Sequence, residues 1–197
     1  MAGASSVAIT DHPSSSALGP NGAILKNLEK NVPEALRSRA SIHPHEWGDV
    51  ESPFAQNNKG SFTRVIAADC LWVGGEHKNL VKTLLWFLSE GNGKGVNGGS
   101  LGGDSSGRAW VVAGFHTGRE IVASFFDTAV EMGLEIEDIW ERDINPASGE
   151  DGEPVIKERE WKAFREDEGL NERSRWHVMA VLKRQETKHG NGISNGL

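Results

Sequence analysis

The sequence predicts an α/β fold, a doubly wound, mostly parallel sheet with helices on its faces, and three observations predict it. Short β-branched or fully apolar runs alternate along the chain with segments of amphipathic helical spacing. The runs Val65-Ile66-Ala67-Ala68 and Ala109 to Phe115 are apolar on both faces, as strands covered on two sides by helices are. The last two apolar segments, Leu134 to Ile139 and Trp176 to Leu182, follow one another without a helical period between them. They read as an antiparallel hairpin closing one edge of the sheet.

Taken in order, Val7 to Thr10 is a buried strand stopped by Asp11-His12-Pro13. Asn21 to Leu36 carries Ile24, Leu25, Leu28, Val32 and Leu36 at helical spacing, and Pro33 ends or kinks that helix. A short strand over Ala40 to His45 runs into Glu46-Trp47-Gly48, and Gly and Pro punctuate the stretch 49–60. The strand Phe62 to Leu71 precedes an amphipathic helix over Glu76 to Ser89, with Leu80, Leu84, Leu85 and Leu88 on one side. The stretch 91–107 is rich in Gly, Ser and Asn and reads as a flexible insert. A strand from Ala109 and a helix over Glu120 to Met132 follow. A charged loop from Arg142 to Arg173, holding Trp161, separates the two closing strands, and 185–197 reads as a disordered tail. The whole is expected to be a single domain over 1–184.

Composition narrows the function. The 197 residues carry 21 Lys and Arg against 28 Asp and Glu, a net charge of −7, with no long basic stripe, which argues against a phosphate-gripping nucleic-acid binder. The single cysteine, Cys70, excludes a disulfide framework and fits a reducing compartment. No stretch approaches a membrane span, and the first residues lack the basic-then-apolar order of a secretion signal. A cytoplasmic monomer without nucleic-acid or membrane partners is expected.

Ligands on doubly wound sheets bind beyond the carboxyl ends of the strands, so the residues there matter most. Asp11 is either a two-oxygen acceptor for ribose hydroxyls or a cap for the turn before Pro13. Trp47 is either a platform for an adenine ring or a core-edge indole. Ala67-Ala68 let a cofactor approach the backbone, and Asp69 either holds a substrate amine or the charged end of a cofactor, or caps a helix or turn. Cys70 reads as a small core residue. His116, with Thr117 and Arg119, either lines a substrate mouth or belongs to a plain loop. His43 and His45 form a His-x-His pair with Asp49 as the only further candidate ligand nearby, so no metal centre is expected. Gly93-Lys94-Gly95-Val96-Asn97-Gly98 matches a dinucleotide glycine pattern literally, but it follows a helix instead of leaving a strand, and is a chance match.

Together, Val7-Ala8-Ile9-Thr10-Asp11, Glu46-Trp47-Gly48 and Ala67-Ala68-Asp69-Cys70-Leu71-Trp72 resemble, in order and spacing, the Rossmann-like seven-strand methyltransferases that use S-adenosylmethionine. The likeness is to the protein-lysine branch and to fungal proteins labelled nicotinamide N-methyltransferase-like. The stretches 108–119 and 175–184 extend it over about residues 5 to 184. The resemblance implies that S-adenosylmethionine is the cofactor, that Asp11 binds its ribose, that Trp47 lies by the adenine and that Ala68 lines it through its backbone. It implies that Asp69 opens an Asp-x-x-aromatic motif framing the substrate nitrogen and acts as the catalytic residue orienting it, with Trp72 at the aromatic end. Trp72 and His116 would line the substrate. The implied acceptor is a protein lysine or N-terminal amine, as on elongation factor 1A. The alternatives are a small pyridine such as nicotinamide, or an inactive fragment or binding module. The last follows from a departure from the family pattern, because the strand and Gly-x-Gly loop that family members place upstream of Asp11 are missing. The expectation is an incomplete domain whose neighbouring strand edges are left unpaired, with weakened cofactor binding.

Overall fold

A computed structural model describes residues 3–91, 106–145, 147–148 and 152–186. Its elements follow the hydrophobic periods closely. They are β1 (Val7–Asp11), α1 (Ala23–Asn31), α2 (Glu34–Arg37), β2 (Ala40–Pro44), α3 (Pro53–Asn57), β3 (Arg64–Ala68), α4 (His77–Phe87), β4 (Arg108–Gly114) and α5 (Arg119–Glu131). After these come β5 (Leu134–Asp143), the short pair β6 (Ala147–Ser148) and β7 (Pro154–Val155), β8 (Glu158–Glu160), α6 (Leu170–Arg173) and β9 (Trp176–Arg184). Pro33 breaks the first helical segment, because it cannot donate a backbone bond, and α2 restarts directly after it. The helix α3 lies in a stretch read as loop; Ser52 caps it by accepting from the Ala55 N–H, and Pro53 occupies its first turn. The insert read at 91–107 and the tail at 185–197 fall almost entirely on 92–105 and 187–197, outside the described residues.

The fold is mixed α/β. Five strands form one sheet in the order β3-β4-β9-β5-β8, and β1 and β2 form a separate two-stranded sheet. Pairing is parallel in β1–β2 and β3–β4 and antiparallel in β4–β9, β9–β5 and β5–β8, so the five-stranded sheet is mixed and not mostly parallel as expected, because β9 and β5 enter it as neighbours running in opposite directions. The closing strands do pair antiparallel, but β9 lies inside the sheet, between β4 and β5, and β8 takes the edge.

The core lies on one face of this sheet. Leu80, Val81, Leu84 and Leu88 of the α4 segment join Val122, Phe125 and Phe126 of α5 over Ala67, Ala109, Val111, Val178, Ala180 and Leu182. Each such Leu, Val or Phe contributes about 1.5–3 kcal/mol on burial. Successive strand residues point to opposite faces, so the alternate positions look away from these helices. Ile66 is 71% exposed and Trp110, its registered neighbour, 37%. The apolar run of β3 is therefore covered on one side only, which corrects the expectation of helices on both faces. Among the described residues no helix packs against Ile66.

The small sheet is fastened to the rest through the segment after β2. His45 is buried edge-on to Phe87, with ring centroids 5.1 Å apart. The Gly48 N–H donates to Thr83 Oγ1 at 2.8 Å, and Trp86 Nε1 donates to the Ala55 carbonyl at 2.8 Å. No described helix is long and apolar enough to cross a membrane.

Candidate functional site

β1 ends where its own acid takes over the turn. Asp11 Oδ1 accepts from the His12 N–H at 2.8 Å, and Oδ2 accepts from the Ser15 hydroxyl at 2.7 Å. This is the capping role, yet each carboxylate oxygen keeps a second lone pair for a ligand hydroxyl. Trp47 is half-buried against the main core, on the segment that joins β2 to α4.

β3 ends more abruptly. The Asp69 N–H makes the last ladder bond, to the Val112 carbonyl at 2.7 Å, and the backbone then turns through φ +54°, the only described non-glycine residue at positive φ. That conformation is costly for an L-residue, is tolerated best by Asp and Asn, and recurs at functional sites. The turn leaves Ala68 exposed and throws the Asp69 carboxyl outward, 63% exposed, 3.9 Å from His116 Nδ1. The rest of the loop is held from beneath, because Leu71 is buried and its carbonyl accepts from His77 Nε2 at 2.9 Å. Trp72 then stands 56% exposed beside it. Cys70 packs on the core, and burial, aided by the charges of Asp69 and Asp11, pushes its thiol up to about 11. It stays protonated at neutral pH, as a structural thiol does.

The structure therefore brings Asp69, Trp72 and His116 to one end of β3 and β4, whereas Asp11 caps its own turn on the separate small sheet and Trp47 is held by core packing. A residue that sequence reasoning missed joins them. His177, the second residue of β9, pairs in register with Gly114 at the end of β4. A Cβ at Gly114 would lie 3.2 Å from His177 Nε2 and 3.3 Å from His116 Nδ1, so the glycine lets both imidazoles pack this closely over the backbone. Burial holds His177 below the usual imidazole range, helped by His116 and opposed by Asp69. The available signal was a histidine at the start of an apolar strand, close to where the preceding strands end.

Arg119, read as a possible mouth residue, is buried instead. Its guanidinium donates to Glu141 Oε1 at 2.7 Å and Oε2 at 2.9 Å and to Glu168 Oε1 at 2.7 Å, and lies over the Phe115 ring. Arg159 donates to Glu141 Oε2 at 2.7 Å and covers Trp176. Burial alone would raise both carboxyls, but Arg119 and Arg159 outweigh it and hold Glu141 and Glu168 below the usual range. This network, with Trp161 stacked on Phe115, pins the charged loop onto the start of α5, directly after His116. Its role is to position the loop.

His43 and His45 belong to an aromatic cluster, His43 stacking on Phe54 at 4.5 Å. Among the described residues no group of three or more His, Cys, Asp or Glu could hold a metal ion. Two surface grooves lie away from the strand tips, one lined by Arg64, Arg108, Trp110 and Val181 and the other by Arg159, Phe164 and Glu172. No protein-family model matches the chain, and no curated protein matches it significantly.

Proposed function

We propose that the chain is an N-methyltransferase of the Rossmann-like, S-adenosylmethionine-dependent kind, acting on a protein lysine or N-terminal amine. The observation that carries this reading is where the sheet divides. In the doubly wound order the first strand is central, between the second and the fourth. Among the described residues β1–β2 stands apart from a sheet that begins at β3, a division at the place where that order sets its first strand. The residues at the strand tips suit a nucleoside cofactor. Asp11 has acceptor capacity for ribose hydroxyls, Trp47 offers an indole face for adenine, and Ala68 exposes backbone without a bulky side chain. Bound S-adenosylmethionine supplies a methyl group already activated on a sulfonium, so the reaction depends on positioning. Asp69 would orient the acceptor nitrogen, with Trp72 and His116 lining its approach.

The test is calorimetry of the whole chain with S-adenosylhomocysteine. Weak binding, in the high micromolar range, that Asp11→Ala abolishes is the expected result. No heat at millimolar ligand overturns the cofactor assignment. It would favour a second reading, an inactive fold serving as a binding module, for which the open β3 edge and the distance of both grooves from the strand tips speak. Product analysis with a lysine peptide and with nicotinamide separates the two acceptor classes.

A further inference from the structure

We infer that His177 is the proton acceptor for a cationic primary amine held between Asp69 and His116, an assignment that rests on the N-methyltransferase reading and specifies its substrate class. The geometry carries it. His177 Nε2 and His116 Nδ1 converge on Gly114, 3.2 and 3.3 Å from where a Cβ would stand, and His116 Nδ1 is 3.9 Å from Asp69 Oδ1. The other ring nitrogen, His177 Nδ1, is buried without a hydrogen-bond partner, so proton exchange with a ligand is confined to the Nε2 edge. The charged and titratable groups facing this ring are few. They are Asp69 from the β3 tip, His116 from the turn after β4, and Arg142, the cross-strand partner on β5, whose guanidinium is engaged by Glu158.

An alkyl ammonium has no lone pair to attack with, so its proton must leave first. In the proposed step an N–H bond of the ammonium breaks, its electron pair stays on the amine nitrogen, and the proton forms a new N–H bond at His177 Nε2. The positive charge moves to an imidazolium that the Asp69 carboxylate faces. His116 beside it opposes that charge on His177. Burial keeps His177 neutral at physiological pH, which leaves it ready to accept. A pyridine nitrogen already has its lone pair free and needs no such base, so His177 matters for aliphatic amines and not for nicotinamide.

The experiment is a histidine Cε1–H NMR titration of the whole chain, with Nα-acetyl-lysine amide as probe and Nα-acetyl-norleucine amide as its uncharged control. His177 is expected to titrate below 6.5, to move lower still in Asp69→Asn and to move up in His116→Gln. The lysine probe should shift the His177 and His116 signals, and the norleucine probe should not. With a lysine peptide as acceptor, His177→Gln should lose about 10²–10⁴-fold in rate at pH 7 and regain about tenfold per pH unit as free amine accumulates. A His177 signal indifferent to both variants and to the lysine probe overturns the assignment. If that occurs while S-adenosylhomocysteine still binds, the amine site alone fails. If the lysine probe shifts His177 but S-adenosylhomocysteine produces no heat, the amine site stands and the methyltransferase reading fails.

Discussion

Asp69 combines backbone strain with the carboxyl to which the proposed function gives the acceptor nitrogen. Its φ of +54° is the cost of turning the chain out of β3 just where the carboxyl must face His116. Asparagine shares the tolerance for this conformation, whereas a β-branched side chain collides with its own backbone there. Asp69→Asn should therefore leave stability within about 0.5 kcal/mol of the parent, as exposed substitutions generally do. Asp69→Val should cost about 1–2 kcal/mol. Urea unfolding of both variants checks this, and equal stability of the two would show that the backbone is not strained. The residue types at Asp11, Asp69 and Trp72 were legible in the sequence because each follows an apolar run. The orientation at Asp69 was not, since nothing in the sequence announces a positive φ at a residue other than glycine.

Among the elements, β5 shows how a local irregularity redirects a charge. Leu134, Glu135 and Ile136 alternate normally, but a register shift between Ile136 and Asp138 reverses the alternation, and Glu141 and Asp143 enter the buried side. Read without the bulge, these acids belong to a half-exposed strand. Their basic partners, Arg119, Arg159 and Arg175, lie far off along the chain, so no spacing rule could pair them. The longer strands and helices were legible because their periodicity is local, whereas α3, α6 and the short strands β6 to β8 fell in stretches read as loop, being too short to show a period; the ion network was hidden because it is entirely tertiary. Glu141 has 0% side-chain exposure and contacts Arg119, Arg159 and Arg165. Glu141→Gln leaves those cations short of a buried charge partner and should cost about 3 kcal/mol, measured as a shift in the urea midpoint. The pH dependence has two stages. His45 and His177 lie below the ordinary imidazole value in the fold, so stability starts to fall as pH drops through about 6.5, where the unfolded chain takes up protons that the fold refuses. Glu141 and Glu168 are lowered carboxyls, so their contribution is complete above about 4.3 and is lost as pH falls through their lower folded values. Unfolding midpoints measured from pH 8 to pH 3 should show both declines in the parent and a reduced lower one in Glu141→Gln.

At the scale of the whole molecule, the division of the sheet separates a firm part from a loose one. The buried apolar core is drawn from residues 55–182, and neither β1, α1, α2 nor β2 contains a fully buried residue. A two-stranded sheet is marginal by itself in water. Residues 3–44 are therefore held mainly by the β1–β2 ladder and by the fastening of the following segment to α4. Local opening free energies scale with the burial that must be undone. Amides of β1 and β2 should thus exchange through a partial opening, at least about tenfold faster than those of β4 and β9, which exchange only on global unfolding. Because Asp11 is on β1, this opening also sets the cofactor affinity that the proposed function allows. Any ligand that bridges Asp11 and the β3 tip must first pay the ordering cost, and in binding it closes the loose part. Native-state hydrogen exchange with and without saturating S-adenosylhomocysteine measures both effects. The expected pattern is slower exchange throughout β1 and at Ser15, with β4 and β9 changed only by the global gain in stability. Equal protection of β1 and β4 in the free chain would show that the two sheets open as one unit, and that the edges at β1 and β3 are not where this fold is weakest.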